Sequence, residues 1–187
     1  VEGYADLLIQ TATAIRQVKP DTVIISGAPA PTGAESAFPD QVINDDNFVQ
    51  QLMDYGALDQ MDCVGMQYVE GTVPPLATAG DTRDNDYRRY LPTMLQTYRR
   101  VVDASIPICV TSIGYFSGEG MARLPKFFEW AKDTTHHNQQ TWLTEAMEWL
   151  SLQVDVRLAL IWHIDWTNNP TTDILDLEIQ RGYTILR

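Results

Sequence analysis

Apolar residues recur along this chain in two alternating periods, one helical and one extended. Tyr4, Leu7, Leu8, Thr11, Ile15 and Val18 share one face at helical spacing, and Lys19-Pro20-Asp21 stops that helix. Thr22–Gly27 is a short β-branched run that predicts a buried strand, followed by a loop rich in Ala, Pro and Gly to about residue 44. Asp45 or Asp46 is placed to cap a second helix carrying Phe48, Leu52 and Met53, which ends near Gly56. Met61–Tyr68 predicts a second strand with a polar-aromatic exit at Gln67 and Tyr68. A third helical stretch covers 86–103, and Pro92 sets the start of its regular part near Leu91. Pro107–Ser112 reads as a third strand emptying into Ile113-Gly114-Tyr115. A long loop with a helical turn near 125–131 follows. Thr134 or Thr135 then caps a fourth helix with an apolar face of Trp142, Leu143, Ala146, Trp149 and Leu150. Arg157–His163 is the fourth strand, and a last amphipathic stretch runs from about 173 to 186.

Strands alternating with helices predict parallel α/β architecture. The strands are short and apolar on both faces, the connections after them are long and those before them short. That is the layout of the working face of a (β/α)8 TIM barrel, and about four β/α units amount to half of one. The expected domain is therefore a single segment, 1–187, with two open sheet edges of the kind natural proteins avoid. Another protein segment or chain is expected to complete the barrel, or the chain is an incomplete copy. A start at Val1, almost directly in a helix, fits a processed or truncated chain.

Composition narrows the function. The 187 residues are 44% hydrophobic and 20% charged, as in ordinary globular domains. A net charge of -12 argues against a nucleic-acid partner, which needs clustered Lys and Arg. The two basic pairs, Arg88-Arg89 and Arg99-Arg100, read as a solvated helix face, and only three lysines occur, Lys19, Lys126 and Lys132. No apolar run approaches the ~20 residues that span a bilayer. If Gln67 and Ser112 both point inward, period-two alternation puts Cys63 and Cys109 on opposite faces, so buried free thiols are expected and the compartment stays open.

Four stretches together resemble clan-A (β/α)8 glycoside hydrolases. Asp21–Gly33 is similar to their fifth-strand segment, Met61–Tyr68 to the sixth strand, Pro107–Tyr115 to the seventh and Leu160-Ile161-Trp162-His163 to the eighth. The resemblance covers essentially the whole chain as the C-terminal half of that barrel. It implies two catalytic carboxylic acids, one acting as acid/base and one as nucleophile. The acid/base Glu would lie in an Asn-Glu pair upstream of Val1, and the nucleophile Glu would fall on Ser112. A neutral hydroxyl neither attacks an anomeric carbon readily nor balances an oxocarbenium-like charge.

The resemblance therefore implies a glycoside-hydrolase-like module that has lost catalysis and serves as a glycan-binding or structural subunit. The alternative is an active retaining extracellular glycoside hydrolase seen as a fragment or an inactivated variant. Gln67, Tyr68, Tyr115, Trp162, His163 and Trp166 are the expected sugar-contacting residues, with a cis peptide after Trp162. Glu70 and Glu119 are loop carboxylates that could stand in at the site, although such groups are more often simply solvated. Ser112 as a hydrolase nucleophile would need His163 as its base, and no Gly-x-Ser-x-Gly elbow surrounds it. His136-His137 reads as a surface pair with no third ligand, so neither metal nor cofactor is expected. Extracytoplasmic placement follows by analogy with glycan-processing relatives.

Overall fold

The structure, a computed structural model, describes residues 1–164 and 174–185, the stretch 174–178 by backbone alone. In chain order the elements are α1 (Glu2–Val18), α2 (Asp45–Asp54), β1 (Val64–Tyr68), α3 (Leu91–Val101), β2 (Ile108–Ile113), α4 (His136–Ser151), β3 (Val156–Ile161) and α5 (Ile174–Tyr183). Short 3-10 turns occupy Leu58–Gln60, Tyr87–Arg89 and Glu129–Ala131. The three strands form one open parallel sheet in the order β1-β2-β3.

This corrects the expected (β/α)8 TIM-barrel arrangement. Barrel closure requires many tilted, staggered strands, and three cannot close. The missing strand is Thr22–Gly27, which contributes a single parallel bridge, Ile25 to Cys63. Side chains explain why no ladder grows from it. The Asp62 carboxylate takes the Ile24 N–H at 2.8 Å, and the Ser26 hydroxyl takes the Gly65 N–H at 3.0 Å. Backbone groups that would extend the pairing are thereby satisfied by side chains. Gly65 is needed at this crossing, because a Cβ there would overlap the Ser26 carbonyl.

The chain divides into two compact units, the first comprising Val1–Gln67, Leu95–Thr111 and Gln153–Leu158. Within it α1, α2 and the Leu58–Gln60 turn pack together, burying Ala5, Ala12, Val49, Leu52 and Leu58. Tyr4 lies 5.5 Å from Phe48, ring to ring, and its hydroxyl accepts the Gly27 N–H at 2.8 Å. The Ile24 N–H holds the Asp62 carboxyl below the usual range, against the cost of burial, and Arg16 at 2.9 Å adds its charge.

Cys63 and Cys109 form a disulfide in this unit, with Cα atoms 5.7 Å apart and both residues fully buried. This corrects the expectation of free thiols. Cys63 precedes β1 and sits at the isolated bridge, so the alternation counted back from Gln67 does not extend to it. A disulfide is compatible with an extracytoplasmic placement. Among the described residues no helix is long and apolar enough to cross a membrane.

The second unit comprises Tyr68–Met94, Ser112–Leu152 and Ala159–Arg187. Its helix α4 starts at a capping box. The Thr135 hydroxyl accepts the Asn138 N–H at 3.1 Å, and the Asn138 side chain accepts the Thr135 N–H at 3.0 Å. The helix buries Gln139, Leu143, Ala146 and Leu150 on one face. Phe116, Ala131 and Tyr183 centre the core of this unit, with Phe128 and Trp130 packed against them.

Closing a loop with a sequence separation of 46 constrains the unfolded chain by about 4 kcal/mol in the chain-entropy account. Replacing both Cys63 and Cys109 by Ser is therefore expected to lower unfolding stability by about 2–4 kcal/mol, read from urea titrations. A loss below about 1 kcal/mol would show that the crosslink is thermodynamically idle.

Candidate functional site at the strand exits

Two backbone hydrogen bonds bring the exits of the three strands side by side. Gly114 donates to the Tyr68 carbonyl at 3.0 Å, and Trp162 donates to the Ile113 carbonyl at 2.8 Å. Ser112, half-buried near the end of β2, lies within this row. Gly114 is required by close approach, since a Cβ there would sit 2.8 Å from the Trp162 carbonyl and 3.0 Å from Tyr183.

Trp162 is half-buried and stacks on Tyr183, centroids 6.1 Å apart at 25°, and its indole N–H donates to Gln180 at 3.2 Å. Tyr183 donates its hydroxyl to the Val69 carbonyl at 2.7 Å. Tyr68 and Tyr115 are both buried and meet edge-on at 5.9 Å, with Trp142 edge-on to Tyr115 at 5.3 Å. The Tyr68 hydroxyl donates to the Arg89 carbonyl at 2.9 Å. Burial pushes the phenols of Tyr68, Tyr115 and Tyr183 well above their ordinary value, so all three are neutral across the physiological range.

The Trp162–His163 peptide is cis, the isomer the resemblance implied, and both imidazole nitrogens of His163 are buried. Gln67 belongs to the first unit, where its amide donates to the Ala28 carbonyl at 3.0 Å. Trp166 lies outside the described residues.

Several loop carboxylates of the second unit are bound to cations or to backbone. Glu70 pairs with Arg89 at 2.5 Å and lies 3.8 Å from Arg83. Asp81, with its side chain buried, accepts from Thr72 at 2.7 Å and from the Arg83 guanidinium at 2.7 Å. Arg83 also stacks over the Trp130 ring at 4.7 Å. Asp84 pairs with Arg89 at 3.1 Å. Glu119 accepts the His136 N–H at 2.6 Å, which places it at the first residue of α4. Among the described residues no group of three His, Cys, Asp or Glu is arranged to hold a metal ion.

No protein-family model, curated protein or solved structure matches this chain. The likeness to glycoside hydrolases thus rests on the sequence motifs alone.

The same unit has an open groove of about 730 Å³ along α4, lined by Gln140, Leu143, Thr144, Met147, Ile161 and Ile185 among others. None of the expected sugar-contacting residues lines it.

Several positioning residues escaped the sequence reading. Gln139 is fully enclosed and donates to the carbonyls of Tyr115 at 2.7 Å and Gly182 at 2.9 Å. A polar residue on the apolar face of α4, four positions before Leu143, was its available signal. Gly182 is required because a Cβ would overlap the Phe116 ring, and no local pattern marks that contact.

Burial raises the cost of ionising Asp81, but the Arg83 and Thr72 hydrogen bonds outweigh it and hold its carboxyl at about 2. A folded value depressed from 3.8 contributes stability above that pH, lost as pH falls toward 2. Asp81→Asn is expected to shrink the stability loss between pH 7 and pH 2 by about 2 kcal/mol, measured by urea unfolding across pH. An unchanged acid slope in the variant would refute the assignment.

Proposed function

We propose that this chain binds a carbohydrate at the exits of its strands and does not hydrolyse it. The observation that carries the reading is Ser112, a half-buried hydroxyl in the row between Tyr68 and Trp162 where glycoside hydrolases of the resembled type place their nucleophile. Displacement at an anomeric carbon needs a carboxylate of suitable protonation on each face of the scissile bond. The two loop carboxylates able to substitute are committed, Glu70 to Arg89 and Glu119 to the start of α4. What remains at the exits is suited to recognition. The half-buried indole of Trp162, braced by Tyr183, gives an aromatic surface for the C–H face of a sugar ring. Tyr68 and Tyr115 pack edge-on to each other in the same unit. Secretion into an oxidising compartment belongs to the same reading, and the Cys63–Cys109 disulfide supports it.

A second reading, a structural subunit of a larger assembly, is favoured by the edge strand β3, where Leu160 is 48% exposed on an open sheet.

Calorimetric titration of the full chain with oligosaccharides, beside aryl-glycoside turnover assays, tests the proposal. The wild-type chain is expected to bind without turnover. Trp162→Ala should weaken binding at least ~10-fold, with Trp162→Phe, which keeps a ring on Tyr183, intermediate. Ser112→Ala should weaken binding by about two- to ten-fold, on the scale of one neutral hydrogen bond. Turnover by the wild type above the Ser112→Ala control would overturn the non-catalytic reading.

A further inference from the structure

Phe127 adopts φ 72°, the left-handed region that a bulky side chain rarely enters. Its ring is 74% exposed, so burial does not repay that conformation. The turn itself has a structural use. It sends the next residue, Phe128, inward to lie 4.7 Å from Phe116, ring to ring. Glycine or asparagine at 127 would make that turn with less strain, so the turn explains the backbone and leaves the phenyl ring unexplained.

The ring's surroundings indicate a ligand chemistry. The Lys126 ammonium sits over the Phe127 ring at 4.7 Å, so charge and aromatic face are presented together. Arg123 and Lys132 are exposed on the same loop. Residues 121–132 hold three cations, Arg123, Lys126 and Lys132, against one acid, Glu129, in a chain whose net charge is -12. Two of the three lysines in the whole sequence lie here. The loop is anchored through Phe128 and Trp130 to Phe116, Phe116 contacts Tyr183 at 5.3 Å, and Tyr183 stacks on Trp162. The exposed ring is thus carried by the aromatic cluster that braces the strand exits.

We infer that the loop 121–132 is a second binding site, in which Phe127 stacks on a sugar ring while Arg123, Lys126 and Lys132 pair with the carboxylates of an acidic polysaccharide. The choice of a glycan rests on the carbohydrate reading above, whereas the choice of a negatively charged one rests on the local charge.

The test uses the full chain with polygalacturonate and a neutral β-glucan of similar length as probes, measured by affinity electrophoresis and calorimetry at low and high salt. The wild type is expected to bind polygalacturonate more tightly than the β-glucan, with affinity falling as salt rises. Phe127→Gly should lower polygalacturonate affinity about ten-fold while its melting temperature stays at or above the wild type's, because glycine relieves the backbone. Joint replacement of Arg123, Lys126 and Lys132 by Ala should remove the preference for the acidic polymer. Wild-type affinity in Phe127→Gly, or no preference for polygalacturonate in the wild type, would overturn the inference. The strand-exit reading fails separately, if Trp162→Ala leaves every glycan affinity unchanged while the Phe127 and cation variants lose theirs.

Discussion

Tyr183 is wedged between Trp162 and Phe116, and the described core of the second unit depends on that wedge. Its ring stacks on the indole at 6.1 Å and meets Phe116 edge-on at 5.3 Å, while its hydroxyl reaches the Val69 carbonyl. One side chain thus touches three segments that backbone hydrogen bonds already bring together, namely the exit of β3, the loop after β2 and the loop after β1. The cost of admitting it falls on glycines. Gly114 lets the ring approach the end of β2, and Gly182 lets the helix backbone close on Phe116. Gln139 seals the arrangement by donating to the carbonyls of Tyr115 and Gly182, the second of which also accepts the Ser117 N–H. Side-chain packing of this density leaves few alternative positions for Trp162.

The distribution of charge follows from this apolar centre. Four carboxylates of this unit are held by arginines or by a backbone N–H group. Asp81 is locked to Arg83, Glu70 and Asp84 to Arg89, and Glu119 to the start of α4. Arg83 contributes to both systems, since its guanidinium stacks on Trp130 while bonding Asp81. A carboxylic acid that donates a proton near neutral pH needs a raised protonation equilibrium. Asp81 has the opposite, a depressed one. Asp81 behaves as a structural counter-ion to Arg83.

Much of the local structure was legible in the sequence. Pro92 located the start of α3 at Leu91 with a separate turn before it, and Thr135 capped α4. β1, β2 and β3 fall in the runs expected of them, each displaced by a residue or a few. The expected barrel does not form, and the sequence misled there because hydrophobic periodicity reports which face of a segment is buried and says nothing of how many segments pair. Thr22–Gly27 has a strand's composition, yet Asp62 and Ser26 capture N–H groups that a ladder would use, a contact 38 or 39 residues away in sequence. The cysteines failed for a related reason, since alternation was carried past the end of a regular strand. Tyr68 and Tyr115 were recognisable as strand-exit aromatics, but their burial depends on Trp142 and Arg89, which no local pattern links to them.

At the strand exits the phenols of Tyr68, Tyr115 and Tyr183 are buried and neutral at physiological pH, and the hydroxyls of Tyr68 and Tyr183 are bonded to backbone carbonyls. Neutral hydroxyls and aromatic faces recognise a neutral polyol through hydrogen bonds and C–H contacts, and they supply no charge to stabilise a cationic transition state. Substituting a carboxylate for Ser112 alone would restore one of the two groups hydrolysis requires.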